Sequence, residues 1–387
     1  MWLNTSLTLR LAAAWFSGAI LAGIPLSCKS PENTEDPLVR ILASPDSAIA
    51  RIMQNPDAYE LQIRYTRIGR SGDSVQFTSY EYAVDDRKYF YPASTAKLPV
   101  AVLALEKLQA TPGLDRDRVY YVEGDSVEAS FAEDIRAIFA VSDNHANNRL
   151  YEFLGRDAIN DSLAAKNIGP ARIAHRLGYH REEASTLPLV VYLSDSSVTQ
   201  LPAMVNRTVE PLDLNGVHKG RGYVEDGQDI EEPFDFSRKN YLPVRSLEAI
   251  LKRVVFPETF PPEERFHLSG EQRQFLMESM RLLPRQAGYD PELYPDGYCK
   301  FFLYGDSEEK IPDHMEIYNK VGFAYGTLTD CAYIVDRRSG VEFMLTATLL
   351  VNEDGIFNDD QYEYEEIGLP FLASLGRAVY EFEKQNR

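Results

Sequence analysis

The chain has 387 residues, 44% of them hydrophobic and 26% charged, the balance of a folded protein with enough residues for a large core. Its formal net charge of −19 excludes polyanionic partners, since nucleic acid and anionic lipid would both repel it. No His/Cys cluster has metal-ligand spacing, and no phosphate-cradling glycine loop is present, so neither a metal nor a cofactor is expected.

Residues 11–26 form an apolar run of signal-peptide length, preceded by Arg10 and too short to cross a bilayer comfortably. The run ends in Pro25-Leu26-Ser27-Cys28, ahead of a polar stretch. A small residue followed by cysteine at that place resembles a bacterial lipoprotein signal, although Leu26 stands one place nearer the cysteine than is usual. The resemblance implies a signal segment over 1–28 and lipidation of Cys28. A tether follows over 29–36, and the exported protein sits in the periplasm or at the outer membrane, touching membrane only through its anchor. A plain secretory signal with a bystander cysteine is the competing reading. Residues 37–387 are expected to form one domain, with an inserted segment at about 201–265.

The spacing predicts a helix over 37–53. Residues 60–68 and 74–82 alternate apolar and polar around Arg70-Ser71-Gly72-Asp73, which reads as a hairpin. Residues 98–108 are apolar nearly all round, so they predict a buried helix. Pro99 disfavours a helix interior, which places the start of regular helix close to Ala96. Helices are predicted within 131–154 and 157–165, and a long irregular connection over 169–200. Residues 201–235, rich in glycine and acid, read as an exposed insertion whose composition is compatible with disorder. Helical periodicity returns at 247–255 and 270–283. Strands follow at 316–323, 332–336 and 342–350, then a last helix at 369–384. Two early strands and three late ones give the fold class α/β (α+β): an antiparallel sheet built from both chain ends, flanking helices and an α-rich lobe.

The chemistry concentrates in three short motifs. Ser94-Thr95-Ala96-Lys97 puts a hydroxyl and an amine on one helix face, three residues apart. A serine is a poor nucleophile until a neighbour takes its proton, and a lysine serves only if its amine is held neutral. The spacing alone is common by chance, but this lysine stands at the mouth of a buried helix. Ser142-Asp143-Asn144 closes the apolar stretch 135–141, and Lys320-Val321-Gly322 opens a strand.

S-x-x-K, S-D-N and a K-x-G in that order resemble the class A β-lactamase-like serine hydrolases, the superfamily of β-lactamases and penicillin-binding proteins. Tyr91-Pro92-Ala93 before the serine and residues 144–150 after S-D-N are similar too; the likeness covers about 57–181 and 315–387. The resemblance implies the serine β-lactamase/DD-peptidase-like fold and an acyl-enzyme mechanism. It makes Ser94 the nucleophile, Lys97 its base and Ser142 the proton carrier to the leaving nitrogen. Asn144 would hold Lys97 and a substrate amide, and Lys320 would supply the charge that depresses Lys97. Asp143 is expected to anchor its own turn. Gly322, Val321 and Phe323 would form the substrate and oxyanion wall, with the Ser94 and Phe323 N–H groups as donors. Removing one such donor typically costs about 100-fold or more in rate.

Two departures stand out. Val321 occupies the place of a hydroxyl that helps the family grip a substrate carboxylate, a bond worth about 1.5–3 kcal/mol. The family's E-x-x-L-N segment, source of its deacylating glutamate, is missing; Glu182, Glu183 and His180 are the nearby candidates. Acylation is therefore better supported than fast deacylation. The expected partner is a small-molecule or peptide acyl substrate, a β-lactam or a cell-wall peptide. β-Lactam hydrolysis leads; a peptidase or esterase with slow or no β-lactam turnover is the alternative, and an inactive binding protein is the reading from another class. Cys299 and Cys331 can pair or stand as single buried thiols. The acids at 353–360 hint at calcium without matching a binding-loop spacing, and Tyr362, Tyr364 and Phe371 read as core and loop packing.

Overall fold

The computed structural model describes residues 36–72, 74–178 and 184–386. The expectations for the signal segment, Cys28, His180, Glu182 and Glu183 lie outside the described residues. Residues from Asp36 onward pack as one compact unit.

Its centre is a five-stranded antiparallel sheet, in spatial order Met315–Ala324, Thr327–Asp336, Glu342–Leu350, Gln62–Ser71 and Ser74–Tyr82. Both ends of the chain build it, as the strand spacing predicts. The two ends meet where Tyr65 stands opposite Leu345. The strand Thr327–Asp336 is buried along its whole length, so it supplies apolar residues to both of its faces. They alternate with a period of two: Cys331, Tyr333 and Val335 enter one core cluster, while Leu328, Ala332 and Ile334 enter the other, with Thr329 and Asp330 buried among them as polar residues.

The helix Leu369–Gln385 covers one face, and Val244–Val255 covers the other ahead of the α-rich lobe. Glu248 on Val244–Val255 accepts hydrogen bonds from Arg64 Nε and Thr66 Oγ1 of the sheet, both at 2.9 Å. A buried carboxylate is tolerated there because charge and hydrogen bonds meet it.

The lobe contains Lys97–Ala110, Phe131–Ala140, Asn144–Leu154 and Arg156–Ala165. Asp134 receives Arg149 Nε at 3.1 Å and the Tyr120 hydroxyl at 2.5 Å, all within the buried interior. This clamp joins the two helices that flank the S-D-N turn.

Several expectations are corrected. Residues 37–53 form two helices, Pro37–Leu42 and Ser47–Met53, because Pro45 interrupts the run and Asp46 caps the second, accepting from Ala48 N at 2.9 Å. The stretch 169–200 is not wholly irregular. Leu189–Ser194 and Ser197–Leu201 make a hairpin that extends a second sheet beside Val119–Val122. Residues 201–235 carry four short strands, His218–Lys219, Gly222–Glu225, Gln228–Ile230 and Phe234–Asp235. Phe234 and Phe236 tie this region to a third apolar cluster with Tyr89, Tyr91 and Phe357. Cys299 and Cys331 are both free thiols, buried in different core clusters.

Candidate active site

Ser94 lies in a 3-10 turn, Ala93–Ala96, and α-helix begins at Lys97. That solves the Pro99 problem, since a proline in the first helical turn forfeits no intrahelical bond. Ala93 has φ of 46°, an uncommon conformation for a residue with a side chain, directly before the serine. Thr95 Oγ1 donates to Pro92 O at 2.6 Å and fixes the turn.

The strand Met315–Ala324 presses on this turn at Gly322. A Cβ there would stand 2.7 Å from Pro92 O and Thr95 N and 2.8 Å from Ser94 N, so only glycine lets the two backbones approach. The same approach brings Ser94 and Phe323 to one cleft of about 360 Å³, which Asn144 also lines.

Behind the cleft wall stand the two lysines. Lys97 is 0% exposed and Lys320 1%. Lys97 Nζ donates to Ser142 O and lies 3.3 Å from Ser142 Oγ, and Lys320 Nζ donates to that hydroxyl at 2.8 Å. One hydroxyl thus joins both amines. Burial, and then the charge of Lys320, hold Lys97 well below the usual amine range. Burial lowers Lys320 to about 8, with buried Lys300 adding to the fall. A neutral Lys97 beside a charged Lys320 is an arrangement that can take a proton and pass it through Ser142.

Ser142 has φ of 58°, and the helix after it starts because Asp143 accepts from Ala146 N at 2.8 Å. Asp143 therefore anchors its own turn, as expected. Asn144 differs from expectation. No hydrogen bond joins it to Lys97 among the described residues; it faces Gly178, where a Cβ would lie 2.8 Å from Asn144 Nδ2. Lys97 is held by Ser142 instead.

Val321 is also corrected. It is 1% exposed, sits in the core cluster beneath the helix Leu369–Gln385, and does not line the cleft. Alternation along the strand explains this: Lys320 points to Ser142, so its neighbour points to the opposite layer.

Sequence reasoning missed a second layer around Lys320. Lys300 Nζ donates to Asn319 Oδ1 at 2.7 Å and Met280 O at 2.9 Å, and Asn319 Nδ2 donates to Asp330 Oδ1 at 2.8 Å. All three side chains are buried. Burial lowers Lys300 to about 8 and raises Asp330 to about 6. Asn319 sits on a strand already predicted, while Asp330 lies just ahead of the predicted 332–336 because the observed strand starts at Thr327; polar residues in strands buried on both faces were the available signal. Tyr362 and Tyr364 line the cleft instead of only packing, with Tyr91, Tyr325, Asn358 and Asp360; Phe371 is fully buried in the core. Among the described residues no group of three His, Cys, Asp or Glu side chains could hold a metal ion.

Residues 46–215, which include Ser94, Lys97 and the S-D-N turn, match the β-lactamase enzyme family. No curated protein matches the chain. Among solved structures it is similar to a class A β-lactamase from Mycobacterium abscessus, at 15% identity and TM-score 0.51, with 87% of this chain and 98% of that one covered. It is similar to a β-lactamase from Sphaerobacter thermophilus at 13% identity and TM-score 0.50, covering 90% and 96%. A β-lactamase from Desulfarculus baarsii gives 15% identity and TM-score 0.50, covering 87% and 96%. These likenesses speak to fold, and the family match speaks to the segment that carries the serine. The described fold is that of the serine β-lactamases, and the segment that carries Ser94, Lys97 and the S-D-N turn is similar to the β-lactamase enzyme family.

Proposed function

We propose that the protein acts through an acyl-enzyme on Ser94, with β-lactam hydrolysis as its leading activity. The observation that carries this reading is the Lys97–Ser142–Lys320 chain of polar contacts set behind the Ser94 turn. In the proposed sequence, neutral Lys97 takes the Ser94 hydroxyl proton as Oγ attacks the substrate carbonyl. Ser142, polarised by Lys320, returns a proton to the leaving nitrogen, and the C–N bond breaks. The oxyanion is held by the Ser94 and Phe323 N–H groups. Water then attacks the ester carbonyl and frees Ser94.

A second reading, a peptidase or esterase with slow β-lactam turnover, is favoured by one further observation. Val321 faces the core, and the described lining residues include no lysine or arginine to receive a substrate carboxylate. Intact-protein mass spectrometry with a penicillin, on wild type and Ser94→Ala, tests both. An adduct on wild type that clears with turnover supports the first reading, and a persistent adduct supports the second. Equal labelling of Ser94→Ala would remove Ser94 from the mechanism.

A further inference from the structure

We propose that the Ser94 cleft selects acyl substrates carrying an ammonium group, received by Asp360 and the rings of Tyr325, Tyr362 and Tyr364. This rests on reading Ser94 as the acyl acceptor, and it names the substrate class for that site.

Four observations lead there. First, the described residues of the cleft wall carry a carboxylate, Asp360, and no lysine or arginine. The two lysines nearest the nucleophile are buried and engaged with Ser142. Second, Asp360 is exposed and makes no side-chain hydrogen bond or ion pair among the described residues, so its charge is available to a ligand. Third, the wall around it is aromatic. Phe323 meets Tyr364 edge-on at 5.3 Å, Tyr362 lies 5.3 Å from Tyr364, and Tyr325 meets Tyr91 edge-on at 5.2 Å. Ring faces attract cations, more so where water is partly excluded. Burial first, and the Asp360 charge in addition, raise the phenol pKa of all three tyrosines, as expected if the carboxylate is near each ring.

Fourth, the rings are held in place. The Tyr364 hydroxyl accepts from Gly326 N at 2.8 Å and the Tyr362 hydroxyl from Asn358 N at 2.7 Å. Tyr325 is backed by Phe234 at 5.3 Å and Phe236 at 5.4 Å, both from the inserted segment. A preorganised aromatic wall with one unshared carboxylate attracts an ammonium and repels a second carboxylate. A free amine on the acyl side chain of a peptide or amide substrate has that chemistry.

The test separates binding from catalysis. On Ser94→Ala, calorimetry would compare three matched amides: an aminoalkyl amide, its neutral alkyl isostere and its carboxyalkyl counterpart. The proposal expects the ammonium ligand to bind about tenfold or more tighter than the carboxylate. It also expects that ratio to fall to about threefold or less in Ser94→Ala/Asp360→Asn, and to shrink in high salt. Equal or tighter binding of the carboxylate, an unchanged ratio in the Asp360→Asn background, or no binding by any of the three overturns it. Fluorophosphonate labelling of wild type is read in parallel. Loss of labelling with retained ammonium preference would fault the Ser94 mechanism alone, and retained labelling without the preference would fault this proposal alone.

Discussion

Lys97 is a cation placed where a cation is least stable: fully buried, with another lysine sharing its hydroxyl partner and no ion pair among the described residues. Such a residue weakens the fold unless its proton leaves, and a lysine without its proton is a base. Lys97→Met should therefore separate chemistry from stability. Acylation by a penicillin or fluorophosphonate is expected to slow by about 100-fold to 10,000-fold. The melting temperature should stay level or rise, because a desolvated amine is replaced by an apolar chain of similar length. Stopped-flow acylation and thermal unfolding on the same preparation check both halves. A marked fall in melting temperature would show that Lys97 is held for structure.

At the scale of elements, the site depends on one close approach. The strand Met315–Ala324 touches the Ser94 turn at Gly322, where a methyl group would meet three backbone atoms at 2.7–2.8 Å. Backbone cannot move aside as a flexible side chain can. Gly322→Ala is expected to push the strand off the turn, lower acylation by about tenfold or more, and cost about 1–3 kcal/mol in urea unfolding. A variant with wild-type acylation would mean that the strand does not shape the nucleophile's surroundings.

The same scale explains what the sequence reveals. The five sheet strands are legible because their apolar residues alternate or run continuously, and two early strands with three late ones imply a sheet built from both chain ends, though not the order of its strands. Ser94 and Lys97 are legible because their spacing is local. The Ser94 turn is legible too, since Pro99 forces helix to start late. The hairpin Leu189–Ser194 and Ser197–Leu201 also had a local signal, β-branched residues around a two-residue polar turn, which the irregular flanks hid. What is not legible depends on contacts distant in sequence. Asn144 meets Gly178 instead of Lys97, and Asp360 joins a wall with Tyr91 and Tyr325. Val321 turns inward because the strand's pleat directs Lys320 to Ser142. Motif order says which residues converge, and packing decides which atoms touch.

For the whole molecule, the buried charges set a pH profile of stability. Lys300 and Lys320 fall from 10.5 in the unfolded chain to about 8, and burial with the Lys320 charge holds Lys97 well below the usual amine range as well. Above pH 8 the unfolded state therefore binds more protons at these sites than the folded state, so their contribution to stability rises with pH. Asp330 has the opposite effect: raised from 3.8 to about 6, it binds protons in the folded state that the unfolded state has released. Its contribution falls as pH climbs from about 4 to 6. The urea midpoint is expected to dip through that acidic window and recover between pH 8 and 10. Lys300→Met should flatten the alkaline recovery. A wild-type midpoint that falls steadily from pH 8 to 10 would contradict the buried-lysine assignment.

The central claim is that Ser94 becomes acylated because Lys97 reaches it neutral. Fluorophosphonate labelling followed by peptide mapping, run as a rate against pH, tests it most directly. The account predicts a single adduct on Ser94, absent from Ser94→Ala, with a rate that levels off well below the pH at which an ordinary lysine would lose its proton and falls above about pH 8 as Lys320 loses its charge. A label on any other residue, or a rate that keeps climbing toward pH 10 as an ordinary lysine would require, would contradict it.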